Sequence, residues 1–216
     1  MLERIYAEVL AVRVIPNVDA ALAEQFQLKP SHRSLALFTA TVDDVGYTAL
    51  DEATKQADVE VVYARSFYAG ASHASGPLSG EFIGILAGPN PDEVKSAMEA
   101  IYITIENDAY FEALNEDKSH ALYAHVVSRT GSYLAGEAGI AIGEPLAYLI
   151  APPLEAMYGL DAALKAADVR LVKFFGPPSE TNFGGGLLTG SQSACEAAAD
   201  AFRECVIAIA KNPTQY

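Results

Sequence analysis

The chain has no tryptophan, two cysteines and only four histidines among 216 residues. Cys195 and Cys205 lie ten positions apart in one helical pattern. Ten residues of helix span about 15 Å, too far for a disulfide. A disulfide-stapled scaffold is therefore excluded, and both cysteines read as packed, reduced thiols. The histidines, His32, His73, His120 and His125, form no ligand-spacing motif, so no metal is expected. Basic residues are also scarce: 14 Lys and Arg stand against 28 Asp and Glu, a formal net charge of −14. Nucleic acid and anionic membrane surfaces both need a basic footprint, so neither is expected as a partner. No apolar run reaches the roughly 18–20 residues of a membrane span. Residues 1–6 carry no apolar stretch of the kind a signal peptide needs.

What is present is ordinary core material: 51% of residues are apolar, enough to argue against disorder. The acidic excess attracts cations, most strongly in a confined cleft or pore, and it also keeps a protein soluble.

The most informative stretch is DEATKQADV at 51–59, which returns as DAALKAADV at 161–169, a shift of 110 positions (51 to 161). Its surroundings repeat as well: Leu50 and Leu160 precede the two copies, and Val62 and Val172 follow them. A fixed long period indicates duplication of a whole structural unit. Two units of about 100 residues each are of common domain size, and the division is placed between residues 112 and 113.

Hydrophobic periodicity and turn residues order the first half as strands at 6–15 and 34–41, a helix at 45–57, a strand at 59–63, a loop at 66–80, a strand at 81–87 and a helix at 91–106. Asn17 is placed as the cap of a short helix at 18–28, and Asp43-Asp44 as the cap of the helix that follows. Pro91, Asp92 and Glu93 suit the first turn of the last helix. A polar linker is expected at 107–121. The second half follows with strands at 125–127 and 144–151, a short segment at 138–142, a helix from Pro152-Pro153 to about 167, a strand at 169–174, a loop at 176–186, a strand at 187–189 and a helix at 193–211. Each half thus reads strand, strand, helix, strand, loop, strand, helix, an α+β pattern. Gly88 and Gly190 form a second repeated pair only 102 positions apart, so the first half carries eight more residues, which the loop at 66–80 accommodates.

No catalytic motif emerges. The run Gly184, Gly185, Gly186 lacks the Lys and Ser/Thr of a phosphate-binding loop and leads into a strand. Ser191 and Ser193 have no base or oxyanion arrangement beside them.

The word DAALKAADVRLV at 161–172, followed by a glycine-rich loop, a strand, a small-residue turn and an Ala-rich helix, resembles the signature of bacterial microcompartment (BMC) shell proteins. The order is met twice, with the strand pair ahead of the helix as in the circularly permuted version of that domain. With SRTGSYL at 128–134 and PPSETN at 177–182, the chain resembles, over nearly its whole length, the tandem-domain shell proteins of ethanolamine-utilisation compartments.

The resemblance implies two tandem circularly permuted BMC domains, each a four-stranded antiparallel, ferredoxin-like sheet with flanking helices. It implies a homotrimer that imitates a hexamer and tiles with other shell proteins in the shell of a cytoplasmic microcompartment. It further implies a gated central pore, a small pore in each subunit, ethanolamine as ligand, and no enzymatic chemistry. By the same resemblance, Asp43, Asp44, Glu81 and Phe111 face the small pore. Carboxylates pair with an ammonium ion, and an aromatic face adds cation–π attraction. Tyr68, Ala69, Gly70 and His73, with Thr181, Asn182 and Phe183, belong to the loops around the central channel, and Lys55 and Lys165 to tile edges. A cobalamin site near Thr181, Asn182 and Phe183 is suggested by the family setting alone, because ethanolamine breakdown depends on cobalamin. One other class stays open, a trimeric small-molecule-sensing α+β regulatory protein; an enzyme would need an apolar pocket with converging acid–base groups, and the sequence shows none.

Overall fold

A computed structural model of the chain describes residues 2–68 and 76–214. Contacts divide the chain into two compact units. The N-terminal unit comprises Tyr6–Ala109 together with Gly131–Leu134; the C-terminal unit takes the chain up to Ile5, Tyr110–Thr130, and the residues from Ala135 onward.

In chain order the first elements are β1 (Glu3–Tyr6), β2 (Val9–Ile15), α1 (Ala20–Gln25), β3 (Ser34–Ala40), α2 (Asp43–Gln56), β4 (Glu60–Ser66), β5 (Phe82–Gly88) and α3 (Pro91–Ile103), which runs into a π-helical turn at Thr104–Asp108. There follow β6 (Tyr110–Ala113), β7 (Ala121–Val127), α4 (Ser132–Ala138), β8 (Leu146–Ala151), α5 (Pro153–Ala166), β9 (Val169–Phe175), β10 (Gly184–Gly190) and α6 (Gln192–Lys211).

The N-terminal sheet has the order β2-β3-β5-β4. Its described pairings are antiparallel. β3 and β5 are central, and accordingly read as near-continuous apolar runs: Leu35, Ala36, Phe38 and Ala40 on one, Phe82, Ile85, Leu86 and Ala87 on the other, all buried. Edge strand β4 alternates instead, with Tyr63 and Arg65 exposed. α2 covers the sheet with Val45, Ala49, Leu50 and Ala53. Gly46 is needed there because a Cβ would lie 2.5 Å from the Phe82 ring. Beside it, α3 buries Val94, Ala97, Met98 and Ile101, a 3.6-residue stripe. Asn90 caps α3 by accepting from the N–H groups of Asp92 and Glu93, with Pro91 opening the helix as expected.

The C-terminal sheet repeats this order as β7-β8-β10-β9 and adds β6 and β1 beyond β7, giving six strands. α5 and α6 lie together over it. Ala156, Leu160 and Ala163 meet Cys195, Ala198, Phe202 and Val206 in one core. Each large buried side chain of this kind contributes roughly 1.5–3 kcal/mol. Both cysteines are free thiols. Two equal strand orders, each with its strand pair ahead of its first long helix, make this a tandem pair of like folds in mixed α+β architecture.

Five local expectations are corrected. The strand expected over 6–15 is two strands, β1 and β2, with Ala7 and Glu8 between them. The linker expected at 107–121 contains a strand: β6 pairs Glu112 and Ala113 with Leu122 and Ala121 of β7. Its four residues are too few to show a periodicity, and Glu112 is held by Arg203 through bonds to both carboxylate oxygens, a contact 91 positions distant. The glycine run 184–186 is strand rather than loop. It pairs with Ala151, Ile150 and Leu149 of β8, and a Cβ at Gly185, whose φ is +154°, would lie 1.9 Å from the Leu149 carbonyl oxygen. Finally, α2 starts at Asp43 with Val42 as its cap and no capping side chain. Similarly, Asp19 rather than Asn17 caps α1.

Candidate functional site

The first turn of α2 carries the most unusual chemistry in the described residues. Asp43 and Asp44 are only 7% and 6% exposed, although buried carboxylates are rare without compensation. Asp43 Oδ1 accepts from the Asp44 N–H at 2.9 Å, and the helix N-terminus favours negative charge there. Glu81 is drawn to the same place by the sheet: its N–H donates to the Ala40 carbonyl at 3.0 Å, two residues ahead of the helix cap. Burial pushes the Glu81 carboxyl above the usual carboxylate range, and the Asp43 charge adds to the shift. The structure thus brings Asp43, Asp44 and Glu81 together in the N-terminal unit.

One helical turn on, Tyr47 lies on the same face as the acidic pair. Its hydroxyl shares a 2.7 Å hydrogen bond with Ser66 Oγ. Its ring meets Phe82 edge-on at 4.8 Å and lies nearly parallel to Tyr133, 6.2 Å between centroids. The phenol is pushed up to about 12, first by burial and then by the Asp43 and Asp44 charges.

A further turn on is Asp51, fully buried. It accepts from the Gly131 N–H at 2.7 Å and the Leu134 N–H at 2.8 Å; beside it, Thr54 Oγ1 accepts from the Ser132 N–H at 3.1 Å. Lys55 Nζ is 3.8 Å from the Asp51 carboxylate. Burial raises the Asp51 pKa, against the opposing pull of the two N–H donors and Lys55. Asp51 therefore supplies the acceptors that the first turn of α4 lacks, a helix cap contributed from a distant helix. Gly131 is required: a Cβ there would lie 2.3 Å from Thr54 Oγ1 and 2.5 Å from the Asp51 carbonyl oxygen.

These observations describe a permuted tandem BMC fold with a buried acidic turn, and comparison with known proteins agrees. The BMC domain family model matches residues 34–114. The chain is 62% identical to the bacterial microcompartment shell protein EutL of Clostridium perfringens, over 95% of this chain and 94% of that one. It is 55% identical to EutL of Salmonella typhimurium over 99% and 98%. The chain belongs to the EutL family of bacterial microcompartment shell proteins. The crystal structure of the ethanolamine utilization protein EutL from Leptotrichia buccalis superposes with a TM-score of 0.96 at 63% identity, covering 100% of this chain and 99% of that one. A trimeric shell protein, PduB, shares the fold at a TM-score of 0.77 and 21% identity. EutL-family proteins are structural components of the shell rather than enzymes. No helix among the described residues is long and apolar enough to cross a membrane.

The remaining residues singled out from the EutL-type sequence pattern lie elsewhere. Phe111 is in the C-terminal unit, buried on β6 and stacked on Tyr123 at 5.0 Å and near Phe183 at 6.1 Å. Asn182 adopts a left-handed backbone, φ +67°, in the turn between β9 and β10, where the Ser179 N–H donates to the Phe183 carbonyl. Thr181 is half-buried in that turn. Tyr68 is 64% exposed at the end of β4; Ala69, Gly70 and His73 fall outside the described residues. Lys55 is tied back to Glu52 and is 22% exposed in its side chain, whereas Lys165 pairs with Asp161 and is 75% exposed. Among the described residues no cluster of His, Cys, Asp and Glu could hold a metal. An open hollow of about 530 Å³ beside the second loop is lined by Phe175, Gly176, Pro178, Ser179 and Glu180. Sequence reasoning missed Tyr47, Tyr133 and the role of Asp51. The i, i+4 spacing of Asp43, Tyr47 and Asp51 was the available signal for one shared helix face.

Proposed function

We propose that this chain is a trimeric, pseudohexameric tile of an ethanolamine-utilisation microcompartment shell, and that the acidic turn of α2 lines a small pore taking ethanolamine. Support for the first part comes from the relatives, whose names tie them to that shell. The single observation that carries the second is the gathering of Asp43, Asp44 and Glu81 with two carboxylates nearly buried.

Ethanolamine is an ammonium ion at neutral pH. Its three N–H donors suit a group of carboxylates that repel one another, and charge-assisted bonds to them are roughly twice as strong as neutral ones. An entering ammonium relieves the repulsion between Asp43 and Glu81. The acidic surface of the chain, net −14, favours the approach of such a cation. The loops with Tyr68, Ala69, Gly70 and His73, and with Thr181, Asn182 and Phe183, gate the central pore. Lys55 and Lys165 lie at tile edges, with Lys165 presented for contact and Lys55 folded back.

Calorimetric titration of ethanolamine into the protein tests the site. Asp44→Asn with Glu81→Gln is expected to weaken binding about tenfold or more, since a hydrogen bond to a charged group contributes roughly 1.5–3 kcal/mol. Binding of unaltered affinity in the double variant would remove the assignment.

A further inference from the structure

The two repeats differ in what covers their first long helix. By the repeat, Asp44, Thr48 and Asp51 of α2 correspond to Leu154, Tyr158 and Asp161 of α5. Positions spaced this way share one face of a helix. On α2 all three are buried, Thr48 and Asp51 completely. On α5, Leu154 is 63% and Tyr158 65% exposed, and the Asp161 side chain is 59% exposed.

The cover over α2 is the start of α4. Gly131 and Leu134 donate to Asp51, Ser132 donates to Thr54, and Leu134 is fully enclosed. The counterpart of α4 in the first repeat is α1, which likewise follows the strand ahead of the long helix's own strand. Matched at their first residues, Ala20 and Ser132, the two helices place Asp19 where Gly131 stands and Leu22 where Leu134 stands. α1 buries no residue, and Leu22 is exposed. One chain therefore makes this helix contact once, on α2. The face of α5 and the start of α1 are each left open.

The two open surfaces have matching chemistry. Exposed apolar side chains gathered on one helix face mark an interface, and Leu154 and Tyr158 offer such a face to Leu22. The carboxylate latch of α2 is not repeated, because Asp19 caps its own helix by accepting from the Ala21 N–H. Asp19 instead brings a negative charge to the place where Gly131 brings an N–H. Lys165, paired with Asp161 and 75% exposed, is positioned to meet that charge.

We propose that the open face of α5 seats a second copy of this chain, which lays the start of its α1, from Asp19 to Leu22, along Leu154, Tyr158 and Asp161, as the start of α4 lies along α2 within one chain. The interface is head-to-tail: each copy gives α1 and receives on α5. Such an interface makes a ring where the rotation closes, and a trimer then carries the same helix contact alternately within chains and between them. This rests on the trimeric reading above.

The test uses the full-length protein, with mass measured in dilute solution and cross-linking by a short bismaleimide. Leu154→Asp with Tyr158→Asp is expected to lose the trimer in favour of monomer, with circular dichroism unchanged because both side chains are exposed in the single chain. A chain carrying both Leu22→Cys and Tyr158→Cys is expected to cross-link into dimers and trimers. Either cysteine variant alone is expected to give no more cross-linking than the parent protein. A folded Leu154→Asp, Tyr158→Asp variant that stays trimeric, a trimer of the double-cysteine chain that does not cross-link, or Tyr158→Cys that cross-links to itself overturns the α1–α5 contact and leaves the trimer standing. A wild-type protein that is monomeric at every concentration overturns the trimeric reading and the contact together.

Discussion

Asp51 and Gly131, 80 positions apart, are joined by a 2.7 Å hydrogen bond from the Gly131 N–H to a carboxylate oxygen with no exposure to solvent. With Leu134 donating to the other oxygen at 2.8 Å, both carboxylate oxygens accept from backbone donors at the start of α4.

Asp51→Asn replaces one acceptor oxygen by a donor that faces a backbone N–H. A buried group left unsatisfied costs roughly 1–3 kcal/mol, and denaturant unfolding should show a loss of that size. The pH dependence follows from the raised pKa of Asp51. A carboxyl whose folded pKa lies above its unfolded value binds more protons when folded, so its contribution to stability falls as pH rises between the two. The gap between wild type and variant is therefore expected to be widest at acid pH and to narrow as pH rises through that window. Urea titrations at a series of pH values check the sign.

Two glycines near each other in sequence are expected to behave oppositely. Gly131→Ala forces a methyl against Thr54 and the Asp51 carbonyl, an overpacking that costs about 1–3 kcal/mol. Gly136 has nothing within 4 Å of its Cβ position and sits within α4; Gly136→Ala should stabilise by up to about 1 kcal/mol through helix propensity. Melting temperatures of the two variants measure the contrast.

The legible and illegible parts of this molecule divide by distance along the chain. The words at 51–59 and 161–169 identified α2 and α5 and the duplication, because helix periodicity and repetition are local signals. Strand β6 escaped because four residues between a π-helical turn and a polar loop carry no period, and its partners Leu122 and Arg203 are remote. The glycine run of β10 looked like a loop because its reason, the nearness of the β8 backbone to Gly185, is not written in its own composition. For the site, the family resemblance points to Asp43, Asp44 and Glu81, whereas their local sequence alone reads as a helix cap and a strand start. Asp51 was visible only as a letter of the repeat, since its partners lie in a segment 80 positions on.

In the proposed site, ethanolamine binding is expected to depend on pH through Glu81. Its carboxyl titrates above the ordinary carboxylate range, through burial and the nearby Asp43 charge. Only the ionised form attracts an ammonium ion, so affinity is expected to fall as pH is lowered through that raised value. Glu81→Gln should remove this limb of the profile and lower affinity at neutral pH. Calorimetry across the acid range reads both.

The central claim is that the chain is a shell tile. It is tested most directly by electron microscopy of concentrated purified protein, with mass measured in dilute solution. The account predicts trimers that tile into sheets with hexagonal spacing, and loss of the sheets in the variant combining Lys55→Ala and Lys165→Ala. A discrete soluble assembly at every concentration, unaltered by those two substitutions, would contradict it and favour a sensing protein instead.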